Sequence, residues 1–89
     1  MAVVRFTSPF SQISGAKSVS LNADTLGELC RALIQRYGPG MSVLLDADGN
    51  VSRSVVVLVN RRNSYTLSGA ATALQHDSEV LIMPILIGG

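Results

Sequence analysis

The chain has 89 residues, of which 47% are apolar and 15% charged, and its net charge is +1. This length suits one domain, and the near-neutral balance supplies neither a basic stripe for nucleic acid nor an acidic run for disorder. No stretch approaches the roughly 18 consecutive apolar residues of a membrane span, and Cys30, the single cysteine, excludes an internal disulfide and any cysteine-built metal cluster.

Taken in order, Val3 to Thr7 alternates, with Val4 and Phe6 on one side and Val3, Arg5 and Thr7 on the other, as a half-buried strand does. The start of the chain lacks the charged region and cleavage site of a signal peptide, which together with the lone cysteine predicts a cytoplasmic location. Ser8 to Gly15 is rich in turn formers and reads as a loop. Lys17 to Leu21 alternates again, with Val19 and Leu21 inward, and completes a first hairpin.

Thr25 to Tyr37 is the strongest element. Leu26, Leu29, Cys30, Leu33, Ile34 and Tyr37 fall on a single helical face. Thr25-Leu26-Gly27-Glu28 is a capping-box pattern, in which hydroxyl and carboxylate each accept from an otherwise orphaned N–H. Gly38 is placed for a left-handed stop, and Pro39 cannot continue the helix. Cys30 lies in the apolar stripe and reads as a core residue.

Val43-Leu44-Leu45 is a short apolar piece, and Asp46 to Asn50 is a surface turn without the later ligands of a calcium loop. Val55 to Val59 is five apolar residues bounded by turn formers, expected as a central strand covered in part on both faces. Asn60 to Asn63 is a turn, Ser64 to Thr66 a short strand or edge, Leu67 to Leu74 a loose helical turn and Gln75 to Ser78 another turn. Glu79 to Met83 is the last strand, with Val80 and Ile82 on one face and Leu81 and Met83 on the other. Pro84 ends it, since proline has no N–H for the ladder. One helix covers one face of a sheet, so apolar surface is left over on the other, as on a protein with a partner.

Side-chain chemistry is sparse. His76, the only histidine, sits in a turn, and the acidic residues are scattered, with no pair placed for acid–base work. The ending Met83-Pro84-Ile85-Leu86-Ile87-Gly88-Gly89 stands apart. Glycines lose the most entropy on ordering and add nothing to a core; they suit either a frayed end or backbone that enters a narrow slot. On the second reading the reactive group is the α-carboxylate of Gly89, activated by another protein, for instance as an acyl-adenylate. Five residues past Pro84 reach about 16–18 Å when extended, and Pro84 stiffens the root of that arm.

Nearly the whole chain resembles the MoaD/ThiS family of ubiquitin-like sulfur carriers. The resemblance is carried by Thr25-Leu26-Gly27-Glu28-Leu29, the Asp46 to Asn50 turn, Val57-Leu58-Val59-Asn60, Asp77-Ser78-Glu79-Val80 and the Pro84 to Gly89 ending. It implies an α+β, β-grasp fold with a mixed sheet of four to five strands wrapped on one main helix. Residues 1–84 would form the domain and residues 85–89 a flexible tail. It further implies that an E1-like adenylyltransferase of the MoeB/ThiF type adenylates Gly89 with ATP, and that sulfur is then installed as a thiocarboxylate. Gly88 would be the narrow-channel neighbour, and Pro84, Ile85, Leu86 and Ile87 the rest of the partner-binding tail. By length the chain is nearest the small subunit of molybdopterin synthase, whose MoaE-like large subunit would supply the catalytic residues; no cofactor is expected in this chain itself. Delivery to cysteine or thiazole synthesis, and conjugation through Gly89 to lysines of target proteins, are the alternatives. A β-grasp binding module with an irrelevant tail is a third. The sequence departs from the family in Ile87, where a small residue is usual, in His76-Asp77-Ser78 and in Arg61-Arg62.

Overall fold

Two hairpin-like pieces meet on a central strand in the computed structural model, which describes residues 1–85. Strand β1 (Ala2–Phe6) pairs antiparallel with β2 (Ser18–Leu21), placing Val4 opposite Val19. Strand β3 (Val55–Val59) pairs antiparallel with the two-residue β4 (Arg62–Asn63). Strand β5 (Glu79–Pro84) lies between them, parallel to β1 and antiparallel to β3, so the sheet order is β2-β1-β5-β3-β4. The expectation of a mixed sheet of four to five strands on one main helix is met, with five strands. The central strand, however, is β5 rather than Val55 to Val59, which has only the short β4 on its far side. Both strands are apolar on both faces, and local composition does not distinguish the middle position from the one beside it.

Helix α2 (Leu26–Tyr37) buries Leu26, Leu29, Cys30 and Leu33. They pack with the inward residues of the sheet, Val4 and Phe6 from β1, Val55, Val57 and Val59 from β3, and Val80 and Ile82 from β5. The alternation read from the sequence is the observed one. At the helix start Thr25 Oγ1 accepts from the Glu28 N–H at 3.3 Å, while Glu28 Oε2 accepts from the Asp24 N–H at 2.9 Å, one residue before the expected donor. The same turn is bound sideways, Leu26 N–H donating to Thr72 O and Leu74 N–H to Asp24 O, both at 2.9 Å. Close approach explains the glycine in this turn: a Cβ on Gly27 would lie 3.1 Å from Ala70 O and 3.2 Å from Ala70 Cβ.

Four local expectations are corrected. The segment Ser8 to Gly15 contains a short helix α1 (Phe10–Ser14) that buries Phe10. Gly38 has φ 81° and ψ −152°, a glycine conformation other than the left-handed helical one, and the chain goes on as a 3-10 helix over Gly38–Leu44. That 3-10 helix absorbs Val43 and Leu44 and buries Met41 and Leu44. Ser64–Thr66 is a 3-10 helix instead of a strand, because the Asn63 side chain accepts from the Tyr65 N–H and closes the turn. The Asp46 to Asn50 segment is a surface turn as read: Asp46 Oδ1 accepts from the N–H groups of Asp48 and Asn50 at 2.9 and 3.0 Å, so its carboxylate serves the backbone.

Candidate functional site: the tail exit and the open sheet face

Strand β5 carries the core of the fold on its inward residues and leads directly into the tail. Its last residue, Pro84, is paired with Val55. Proline gives no N–H, so the next donor along the strand is Ile85, whose N–H reaches Ser54 O at 3.2 Å. That bond carries the ladder one residue past Pro84. The Ser54 N–H turns to Ser52 Oγ at 3.1 Å. The Ser52 to Ser54 segment is held in turn by Tyr65, whose hydroxyl donates to Ser52 O at 3.0 Å and lies 3.2 Å from Val51 O. Tyr65 and Ile85 are themselves 52% and 43% exposed, two large apolar side chains left in solvent beside one short segment. Leu86, Ile87, Gly88 and Gly89 lie outside the described residues.

The sheet face away from α2 carries the apolar surface that one helix leaves over. Val56 is opposite Met83, and Leu58 opposite Leu81; all four are half-buried. Arg5 pairs with Leu81 from the other side. A shallow depression lined by Arg5, Leu58, Arg61, Glu79 and Leu81 runs along the upper part of this face. The paired arginines Arg61-Arg62 are split, Arg61 occupying the turn with φ 70° and Arg62 entering β4.

The remaining candidates are accounted for by the scaffold. Cys30 is fully buried, and burial pushes its thiol up to about 12, with the nearby Arg31 opposing only weakly. A thiol so placed is protonated at neutral pH and is not a nucleophile. His76 is exposed in its turn, where its carbonyl accepts from the N-terminal ammonium of Met1. Among the described residues no group of three or more His, Cys, Asp or Glu side chains is placed to hold a metal ion, and no helix is long and apolar enough to cross a membrane. Sequence reasoning missed Ser52, Ser54 and Tyr65. Ser54 acts through its backbone N–H and C=O, which leave no signature in residue type, and Ser52 through its Oγ as well as its carbonyl.

A β-grasp scaffold with an open apolar face, whose middle strand runs out into a Gly-Gly ending, defines a ubiquitin-like carrier. The chain belongs to the ThiS family, whose sequence profile matches residues 4–89. It is 36% identical over 89 residues to small archaeal modifier protein 3 of Haloferax volcanii, covering 97% of this chain and 96% of that one. It is 35% identical over 77 residues to the sulfur carrier protein CysO of Mycobacterium tuberculosis, covering 84% and 83%. The crystal structure of Mycobacterium tuberculosis CysO superposes with a TM-score of 0.85 at 29% identity, over 97% of this chain and all of that one.

Proposed function

We propose that this protein is a sulfur carrier whose reactive group is the α-carboxylate of Gly89. The observation that carries the reading is the course of the central strand, which brings the chain to the sheet rim at Ile85 with four residues of sequence still to come. An E1-like adenylyltransferase of the MoeB/ThiF type binds the open face over Leu58, Leu81 and Met83 while the tail enters its site. A Gly89 carboxylate oxygen attacks the α-phosphorus of ATP and pyrophosphate leaves. A sulfur nucleophile then displaces AMP, leaving the thiocarboxylate. The ATP belongs to the partner; this chain supplies the substrate arm and the docking face. Residues 1–84 act as the recognition domain and residues 85–89 as the arm, in a cytoplasmic protein. The acceptor is molybdopterin synthesis, through a MoaE-like large subunit with which this chain forms the synthase.

Intact-mass measurement after co-expression with E1-like enzymes should show one oxygen replaced by sulfur. Neither adenylate nor thiocarboxylate with any of them would sink the reading. Pull-down of the thiocarboxylate form distinguishes a molybdopterin synthase subunit from a cysteine or thiazole enzyme as acceptor.

A second reading is favoured by the likeness to a small archaeal modifier protein along nearly the full chain. Here a lysine amine of another protein displaces AMP and forms an isopeptide bond to Gly89. Gly-Gly remnants on lysines of cellular proteins would support it. Deleting Gly88 and Gly89 abolishes function under either reading; retained function would leave only a binding module.

A further inference from the structure

We propose that Tyr65 is a positioning residue for the root of the C-terminal tail, acting through the Ser52 to Ser54 segment to hold Ile85. The inference rests on the reading of Gly89 as the activated group.

The chain of contacts is short. Tyr65 is half exposed, yet its hydroxyl reaches back 13 residues to Ser52 O at 3.0 Å and lies 3.2 Å from Val51 O. Ser52 then engages Ser54, its Oγ accepting from the Ser54 N–H at 3.1 Å. Ser54 holds the tail, its carbonyl accepting from the Ile85 N–H at 3.2 Å. Each link uses a backbone group, so the geometry passes from the phenol to Ile85 without depending on long side chains.

This arrangement has a consequence for reach. The sheet still holds the chain at Ile85, the first residue of the arm, and four residues of sequence follow that bond. Four residues span about 13–14 Å when extended, which leaves little slack for an activating site set back inside a partner. With so short an arm, where it starts and which way it points matter to docking. A fixed root also lowers the conformational entropy lost when the arm is threaded. Without the hydroxyl, Val51 O loses this contact and Ser52 O keeps only the 3.5 Å bond from the Val55 N–H, so the segment beneath Ile85, still tied by Ser52 N–H to Leu44 O, is held less firmly.

The test uses Tyr65→Phe, which keeps the ring and removes the phenol oxygen. Hydrogen exchange read amide by amide should show the Ile85 N–H exchanging about fivefold faster, the weight of one neutral hydrogen bond, with the amides of Val57 and Ile82 unchanged. In adenylation by the E1-like enzyme, KM for this protein should rise by a similar factor of about five with kcat unchanged. Ile85→Pro, which deletes the N–H that Ser54 O holds, should raise KM as well, and the double variant should be no worse than Ile85→Pro alone, because both act through one contact. Ile85→Ala keeps the N–H and controls for the side chain. Unchanged Ile85 exchange in Tyr65→Phe, or fully additive KM effects, would overturn the proposal. If the wild-type chain is activated by no E1-like enzyme, the carrier reading fails, while the exchange measurement still decides whether Tyr65 holds the root.

Discussion

Asn60 and Glu79 clasp one another across two strands. The Asn60 N–H donates to Glu79 O at 2.8 Å, and the Glu79 N–H donates to Asn60 Oδ1 at 2.8 Å. Asn60 does this at φ 50°, a conformation that asparagine tolerates better than most residues. The pair closes the end of β3 onto the start of β5. Asn60→Ala loses the side-chain acceptor and meets the left-handed penalty, so it should destabilise by about 2 kcal/mol, against about 1 kcal/mol for Asn60→Gly. Urea midpoints with an unchanged slope check the order of the two.

Gly27 sets two effects against each other. Alanine is the better helix former by about 1 kcal/mol, but its Cβ would meet Ala70 O at 3.1 Å. Backbone on the facing segment cannot move aside as a side chain can, and overpacking costs about 1–3 kcal/mol. Gly27→Ala is therefore expected to lower stability by about 1 kcal/mol. Adding Ala70→Gly removes the 3.2 Å Cβ contact but leaves the carbonyl, so thermal unfolding should show partial recovery only.

The buried thiol of Cys30 makes stability fall at alkaline pH. Its pKa is raised from 9.0 to about 12 in the folded protein. Between those values the unfolded chain has lost the proton and the folded chain retains it, so the unfolded state is favoured as pH rises. The contribution is whole below pH 9.0 and is lost as pH climbs towards 12. Cys30→Ala should lose this part of the pH slope, read as the difference between the two proteins in denaturant titrations from pH 8 upwards. At pH 8 the native thiol should also resist alkylation until the protein unfolds.

Ser64 is completely buried, and its Oγ has no hydrogen-bond partner among the described residues. An unpaired hydroxyl in the core is a net cost. Ser64→Ala should therefore raise stability by about 1 kcal/mol. A measured loss of comparable size would mean that the hydroxyl has a partner in solution.

Leu81 separates folding from docking. It faces away from α2 and is half-buried on the open side of the sheet. Leu81→Lys can lay its methylene stem along the same surface, so unfolding should change little. Placed at the middle of a docking face, the new charge should raise KM for adenylation about tenfold or more. Activation kinetics beside a melting curve give both numbers, and a wild-type KM would remove this face from the interface.

The elements legible in the sequence were those whose signals are local. Thr25, Glu28 and the Leu26 to Tyr37 stripe marked α2 because caps and helical period act within a few residues. Val80 and Ile82 could be assigned to one face, and Leu81 and Met83 to the other, from alternation alone; that the first pair faces inward is shown by the packing. Helix α1 was hidden because Phe10 and Ile13 are too few to show a period among prolines and serines. Ser64 to Thr66 imitates a strand in composition, and only the Asn63 side chain turns it into a 3-10 helix. The central place of β5 depends on pairings with β1 and β3 that no window of sequence contains. The tail could be singled out from its glycines and the absence of other chemistry. Its attachment could not, since Ser54 holds Ile85 through a carbonyl that every residue has.

The middle strand of this sheet is also the last in chain order among the described residues. Until Glu79–Pro84 has been made, β2-β1 and β3-β4 have nothing to join them, and the contacts that would reward closing so long a loop do not yet exist. Leu81 and Met83 of the open face belong to that strand, so a truncation before Glu79 removes the partners of β1 and β3 and half of the docking face in one step.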